Sequence, residues 1–165
     1  MALEIRTITE SELHLITELS AKIWPIAYKE IITKEQITYM LSTMYSQEAL
    51  EKNQRDGHVF LIAELDDKPV GYAGVQPQYP QLDFSKLHKL YVLPETHHAG
   101  IGTALFNEVV KLSKGQHCNH LILQVNKNNP ALHFYHKKGM YIHEEAVFDI
   151  GNGFVMDDYI MRLDW

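Results

Sequence analysis

"LYVLPETHHAGIGTAL", Leu90 to Leu105, decides the fold. An apolar run ends at Pro94, two histidines follow, Gly100 and Gly102 flank a single residue, and the apolar positions then change from strand to helical spacing. Backbone so bare at a strand-to-helix junction is either a tight turn or a cradle. In the second case the chain passes close to a bound group, and successive N–H donors, backed by the positive end of the next helix, face an anion. A diphosphate suits that description. A P-loop needs Gly-x-x-x-x-Gly-Lys-Ser/Thr, and no lysine follows Gly102; a dinucleotide fingerprint needs a third glycine where Leu105 stands. Both are excluded.

Downstream, Ile101, Leu105, Val109 and Leu112 share one face of a helix that stops near Gly115, and "HLILQV" (120–125) reads as a buried strand. Asn129 as N-cap, Pro130 at the first helical position and Gly139 at the C-terminal end bracket a short helix in "PALHFYHKK" (130–138). "EEAVFDI" (144–150) and "FVMDDYIMRL" (154–163) form a hairpin around Gly151-Asn152-Gly153. Upstream, "HVFLIAEL" (58–65) and "PVGYAGVQP" (69–77) are paired strands, and "KLHKLYVLP" (86–94) is the third of a meander. At the start, "LEIRTI" (3–8) alternates as a strand. Thr9 with Glu12 makes a capping box before Leu13, Ile16, Leu19 and Ile23, Pro25 interrupts that helix, and Thr33 with Gln36 makes a second box. "SQEALEKNQRDG" (46–57) is a further helix ending at Gly57. This order predicts an α/β (α+β) domain: a mixed sheet with helices on both faces and a ligand site where the strand before Gly100 meets its helix.

The totals agree. A chain of 165 residues, 45% hydrophobic and 22% charged, is one globular domain spanning 1–165. The net charge of -6 argues against nucleic acid and anionic membrane as partners and favours a cationic small molecule. One cysteine, Cys118, excludes an internal disulfide and reads as a buried structural thiol. The start has no signal-peptide pattern and no run reaches the ~20 apolar residues of a membrane span, so the expectation is a cytoplasmic protein.

With those elements in place, His97 to Gly102 resembles the acetyl-CoA signature of the GNAT superfamily of N-acyltransferases, Arg/Gln-x-x-Gly-x-Gly/Ala, with His97 in place of arginine or glutamine. About 25 residues on, "NKNNPALHFYHKKGM" is similar to the family's Asn-x-x-Ala-x-x-x-Tyr-x-x-x-Gly-Phe block through Asn128, Ala131, Tyr135 and Gly139, with Met140 for phenylalanine. The resemblance implies a mostly antiparallel central sheet and acetyl-CoA as co-substrate. It implies that Leu90 and Val92 lend backbone groups to the pantetheine and thioester, that His97, His98, Ala99, Gly100, Ile101, Gly102 and Thr103 surround the diphosphate, and that Asn128 bonds the pantetheine arm. Tyr135 becomes the acid that protonates the departing thiolate; its alternative is a core tyrosine. A homodimer is the family's habit.

Acyl transfer to an amine also needs a proton acceptor. "SKLHKLYV" (85–92) carries no carboxylate, so His88 is the nearest titratable candidate, with Asp83 and Glu64 behind it. His133 and His136 share a helix face, but no third ligand or i, i+4 partner accompanies them, so no metal is expected. "EEAVFD" and "MDD" attract a cationic substrate or are solvated hairpin charges. In the resemblance, Trp24 and Tyr28 border the acceptor, and "IWPIAYKEIITKEQ" is faintly similar to the polyamine-acetylating branch. The acceptor is a small-molecule primary amine, with a diamine or polyamine ahead of an amino acid, an antibiotic or a protein N-terminus. A non-catalytic acyl-CoA-binding regulatory module is the rival reading.

Overall fold

A computed structural model describes residues 2–79 and 82–165. The elements are β1 (Leu3–Thr7), α1 (His14–Ala27), α2 (Lys34–Met44), α3 (Gln47–Arg55), β2 (Val59–Leu65), β3 (Lys68–Gln76), β4 (Phe84–Val92), α4 (Ile101–Gly115), β5 (His120–Asn126), α5 (Ala131–Lys137), β6 (Tyr141–Gly151) and β7 (Phe154–Asp164). Short 3-10 turns precede α1 and α4. The sheet runs β1-β2-β3-β4-β5-β7-β6, antiparallel throughout except where β4 lies parallel to β5.

Each face of the sheet carries its own core. One packs Leu87, Leu121, Leu123 and Val125 against Ile101, Leu105 and Val109 of α4, with Tyr135 of α5. The other packs Phe60, Ile62 and Tyr72 against Leu13, Ile16, Leu19 and Ile23 of α1, with α2 and α3 outside them. The helical spacing read in the sequence is thus the spacing of fully buried side chains. Asp66 and Asp67, at φ 51° and 68°, make the two-residue turn between β2 and β3; Asn152 and Gly153, at φ 54° and 79°, make the one between β6 and β7.

Local expectations differ at three points. Neither half of the box at Thr9 forms: its hydroxyl lies 3.2 Å from that of Ser11, and Glu12 is bound to Arg6, which also bonds Glu64 across to β2. The Thr33 hydroxyl accepts from the Gln36 N–H at 3.1 Å, but the Gln36 amide reaches Val155 O on β7 and does not close the box. Pro25 lies inside α1, in its final turn, and does not end the helix. Cys118 is buried and its sulfur accepts from Ser85. No helix among the described residues is long and apolar enough to cross a membrane.

Two irregularities in β4 make the site. β4 pairs with β5 only from Phe84 to Leu87, opposite His120 to Leu123, so their carboxyl ends diverge and open a cleft. On its other edge Gly74 pairs with Lys89 while Val75 pairs with Leu87, so His88 is an extra residue, a β-bulge. The bulge reverses the alternation beyond it. Leu87, Leu90 and Val92 face the α4 core although Leu87 and Leu90 are three apart, and Tyr91 faces the α1 side.

Candidate active site

Between the diverging ends lies a cleft of about 520 Å³. Leu90 and Val92 form one wall, Val125, Asn129 and Ala131 the other, and the start of α4 closes one end. The two glycines there have different reasons. Gly100 takes φ +71° as it turns the chain into α4, a conformation that L side chains resist. Gly102 is ordinary helix, but a Cβ on it would stand 3.4 Å from the Phe134 ring, in the floor of the cleft. The first backbone bond of α4 runs from Ala104 N–H to Gly100 O at 3.1 Å, and among the described residues the N–H groups of Ile101, Gly102 and Thr103 have no acceptor. Donors so placed at a helix N-terminus are what a diphosphate needs.

Tyr135, 7% exposed, lines the cleft from α5 with its ring 5.3 Å from Phe134 and 6.3 Å from Phe106. Burial raises its pKa, so the hydroxyl stays protonated, as a proton donor must. α5 is placed by Asn129, whose Oδ1 accepts the Ala131 N–H at 2.9 Å, and ends before Gly139 at φ +93°.

The cleft adjoins a smaller cavity of about 100 Å³ on the α1 side of the sheet. Tyr28, Leu87, His88, Lys89, Tyr91 and Gln124 line both. Trp24, Tyr45, Lys86 and Asp158 line only the smaller one. Lys89 is half-buried, its Nζ 4.8 Å from the Tyr45 ring centroid, and burial lowers its pKa to about 8. Lys86 is lowered by burial too, opposed by the charge of Asp158. Asp158 is 1% exposed, neither carboxylate oxygen has a hydrogen-bond partner among the described residues, and burial lifts it to about 6 against the pull of Lys86.

The structure brings His88, Leu90, Val92, His97, Gly100, Gly102, Thr103 and Tyr135 to the cleft, with Tyr28 at the shared wall and Trp24 in the smaller cavity. Ile101 is fully buried in the core and Ala99 packs on it, so both offer backbone only. Asn128 lies exposed outside the cleft lining, where Asn129 stands instead. The side chain of His98 lies outside the described part of the structure. His88 stacks on His58 with ring centroids 4.2 Å apart and contacts Gln76 Oε1 at 3.0 Å, and burial lowers its pKa to about 2, far from the neutral value expected of an unperturbed histidine. Lys86, Lys89 and Asp158 escape a sequence reading. The lysines are three apart, so alternation sets them on opposite faces, and "MDD" reads as hairpin charge although only Asp157 of its pair is exposed.

A cleft between diverging parallel strands, with a glycine-shaped helix start facing it and a protonated tyrosine at its edge, lies where open sheets of this kind bind ligands. Residues 16–140 match the acetyltransferase (GNAT) family, and the chain belongs to that family of N-acetyltransferases. It is similar to a spermidine N(1)-acetyltransferase of Thermoplasma acidophilum, 26% identical over 163 residues, 95% of this chain and 97% of the relative. It superposes on the crystal structure of the PaiA N-acetyltransferase of that organism in complex with coenzyme A with a TM-score of 0.83, at 25% identity and full coverage of both chains. An N-acetyltransferase of Mycobacterium tuberculosis without an assigned substrate is 28% identical over 148 residues, 88% of this chain and 93% of the relative.

Proposed function

We propose that the protein transfers the acetyl group of acetyl-CoA to a primary amine by direct attack within a ternary complex. The observation that carries this reading is the shared wall. Six residues line both the cleft and the smaller cavity, so a donor in one and an acceptor in the other sit side by side, placed for direct attack. The amine nitrogen forms a bond to the thioester carbon, the carbon–sulfur bond breaks, and Tyr135 gives its proton to the leaving thiolate. Backbone groups of Leu90 and Val92 hold the thioester arm, and the free N–H groups of Ile101, Gly102 and Thr103 hold the diphosphate.

The amine must lose a proton before it attacks. His88 offers an acceptor at the shared wall but is a weak base once buried. The positive charge of Lys86 and Lys89 does part of the same work, because neighbouring cations lower the pKa of an incoming ammonium. A diamine or polyamine is the acceptor favoured by the acidic balance of the chain and by the likeness to a spermidine acetyltransferase. The two lysines in the cavity favour an acceptor that also carries an anion. Thiol release from acetyl-CoA across a panel of primary amines tests the reading: no release with any amine ends it, and a double-reciprocal pattern of intersecting lines supports the ternary complex against parallel lines from an acyl-enzyme.

A further inference from the structure

The smaller cavity carries charges that its apolar walls do not explain. Lys86 and Lys89 face it, partly open, and neither forms an ion pair with a described residue. Each lies over a ring, with Nζ 5.0 Å from the Tyr79 centroid for Lys86 and 4.8 Å from the Tyr45 centroid for Lys89. Asp158 is the one carboxylate in the lining among the described residues, and both its oxygens are sealed from solvent. Asp158 and Lys86 favour each other's charged form at long range, each against its own burial. Lys89 has no such counter-charge and stands at the wall shared with the cleft. Two ammonium groups against one inward carboxylate leave the acceptor cavity with an excess of positive charge, although the whole chain is negative.

An unpaired cation held partly out of water is costly unless something completes it, and what completes it is an anion. A diamine or polyamine brings only more positive charge and cannot reach the sealed oxygens of Asp158. An amine with a carboxylate brings the missing charge, and anchoring that carboxylate at Lys89 leaves its amine beside the cleft. We infer that the acceptor is an aminocarboxylate, a small primary amine that also carries a carboxylate, with its anion held by Lys89 and Lys86. The inference rests on the reading of the protein as an amine acetyltransferase and departs from the substrate of its spermidine-acetylating relative.

Calorimetric titration of the CoA-saturated protein tests it apart from turnover. The probes are aminocarboxylates from glycine to 6-aminohexanoate and the common L-α-amino acids, against α,ω-diamines of matching length and spermidine. At least one aminocarboxylate should bind tenfold or more tightly than its matched diamine. Lys89→Met should remove that advantage by tenfold or more, Lys89→Arg should keep most of it, and Asp158→Asn should leave it unchanged or increase it. Lys86→Met provides a second reading should Lys89→Met fail to fold, and a tenfold loss is expected there too. Tighter binding of diamines, failure of every aminocarboxylate to bind, or loss of acceptor binding in Asp158→Asn would each overturn the inference. Thiol release with diamines alone would sink this inference and leave amine acetylation standing; aminocarboxylate binding without thiol release would leave the anion site at Lys89 standing and end the reading of its ligand as an acetyl acceptor.

Discussion

The hydroxyl of Tyr28, just past the end of α1, lies 2.7 Å from that of Tyr91 on β4, and this bond joins the helix end to the sheet at the wall shared by the cleft and the acceptor cavity. Burial raises both pKa values, Tyr28 to about 12, so the pair stays neutral over the working pH range. Tyr28→Phe leaves the Tyr91 hydroxyl without this partner and should cost about 1 kcal/mol in stability. The KM for the acceptor should rise severalfold while acetyl-CoA affinity holds. Denaturant unfolding with two-substrate kinetics checks both, and an unchanged acceptor KM would detach the bond from the pocket.

Gly102→Val places a branched side chain 3.4 Å or less from the Phe134 ring and into the floor of the cleft. Acetyl-CoA affinity should fall by roughly tenfold or more, far beyond the effect on folding. Gly100→Ala meets no neighbour but must hold φ +71°, which should cost about 1 kcal/mol in stability. Calorimetry with acetyl-CoA and thermal melts on the two variants separate space from strain.

Tyr135→Phe keeps the ring among Phe106 and Phe134 and removes only the hydroxyl. Turnover should drop by roughly ten- to a thousandfold with acetyl-CoA binding nearly constant. Full turnover in this variant would make Tyr135 a core residue.

Asp158 is raised from 3.8 to about 6, so the folded protein holds that proton more tightly than the unfolded chain. Its contribution to stability is therefore greatest below pH 4, is lost as pH rises through about 6, and stays lost above. Asp158→Asn should stabilise the free protein at pH 7.5 by about 1–3 kcal/mol and flatten that stretch of the stability profile. Chemical unfolding of parent and variant at pH 4, 5, 6 and 7.5 measures it; a variant less stable at pH 7.5 would show a partner for the carboxylate in the folded state.

With its pKa lowered to about 2, His88 stays neutral throughout the range in which the enzyme is assayed. A fall in activity through pH 6.5 therefore should not come from this imidazole, and His88→Gln should keep the parent's pH–rate profile even where its rate is lower. Loss of an acid limb in the variant would return the titration to His88.

Much of the fold was legible because it is local. The period of Leu13, Ile16, Leu19 and Ile23, the turn residues at 66–67 and 151–153, the Asn129 and Gly139 ends of α5 and the Gly100 turn all act within a few residues of chain. The glycine-marked start of α4 was legible for the same reason, since Gly100 acts within its own turn. Capping at Thr9 was misread because Arg6, itself held by Glu64 from β2, took Glu12. What the tertiary structure alone decided is which way β4 points past residue 87. Strict alternation sets Lys86 and Lys89 on opposite faces. The bulge at His88, imposed by pairing with β3, turns Lys89 and Tyr91 to the face of Lys86 and carries Leu90 and Val92 to the other. The same holds for Asp158, whose burial depends on β7 lying between β5 and β6 beneath α2. Side-chain direction in a strand repeats every two residues, so one inserted residue reassigns every side chain beyond it, and only the neighbouring strand shows where that residue is.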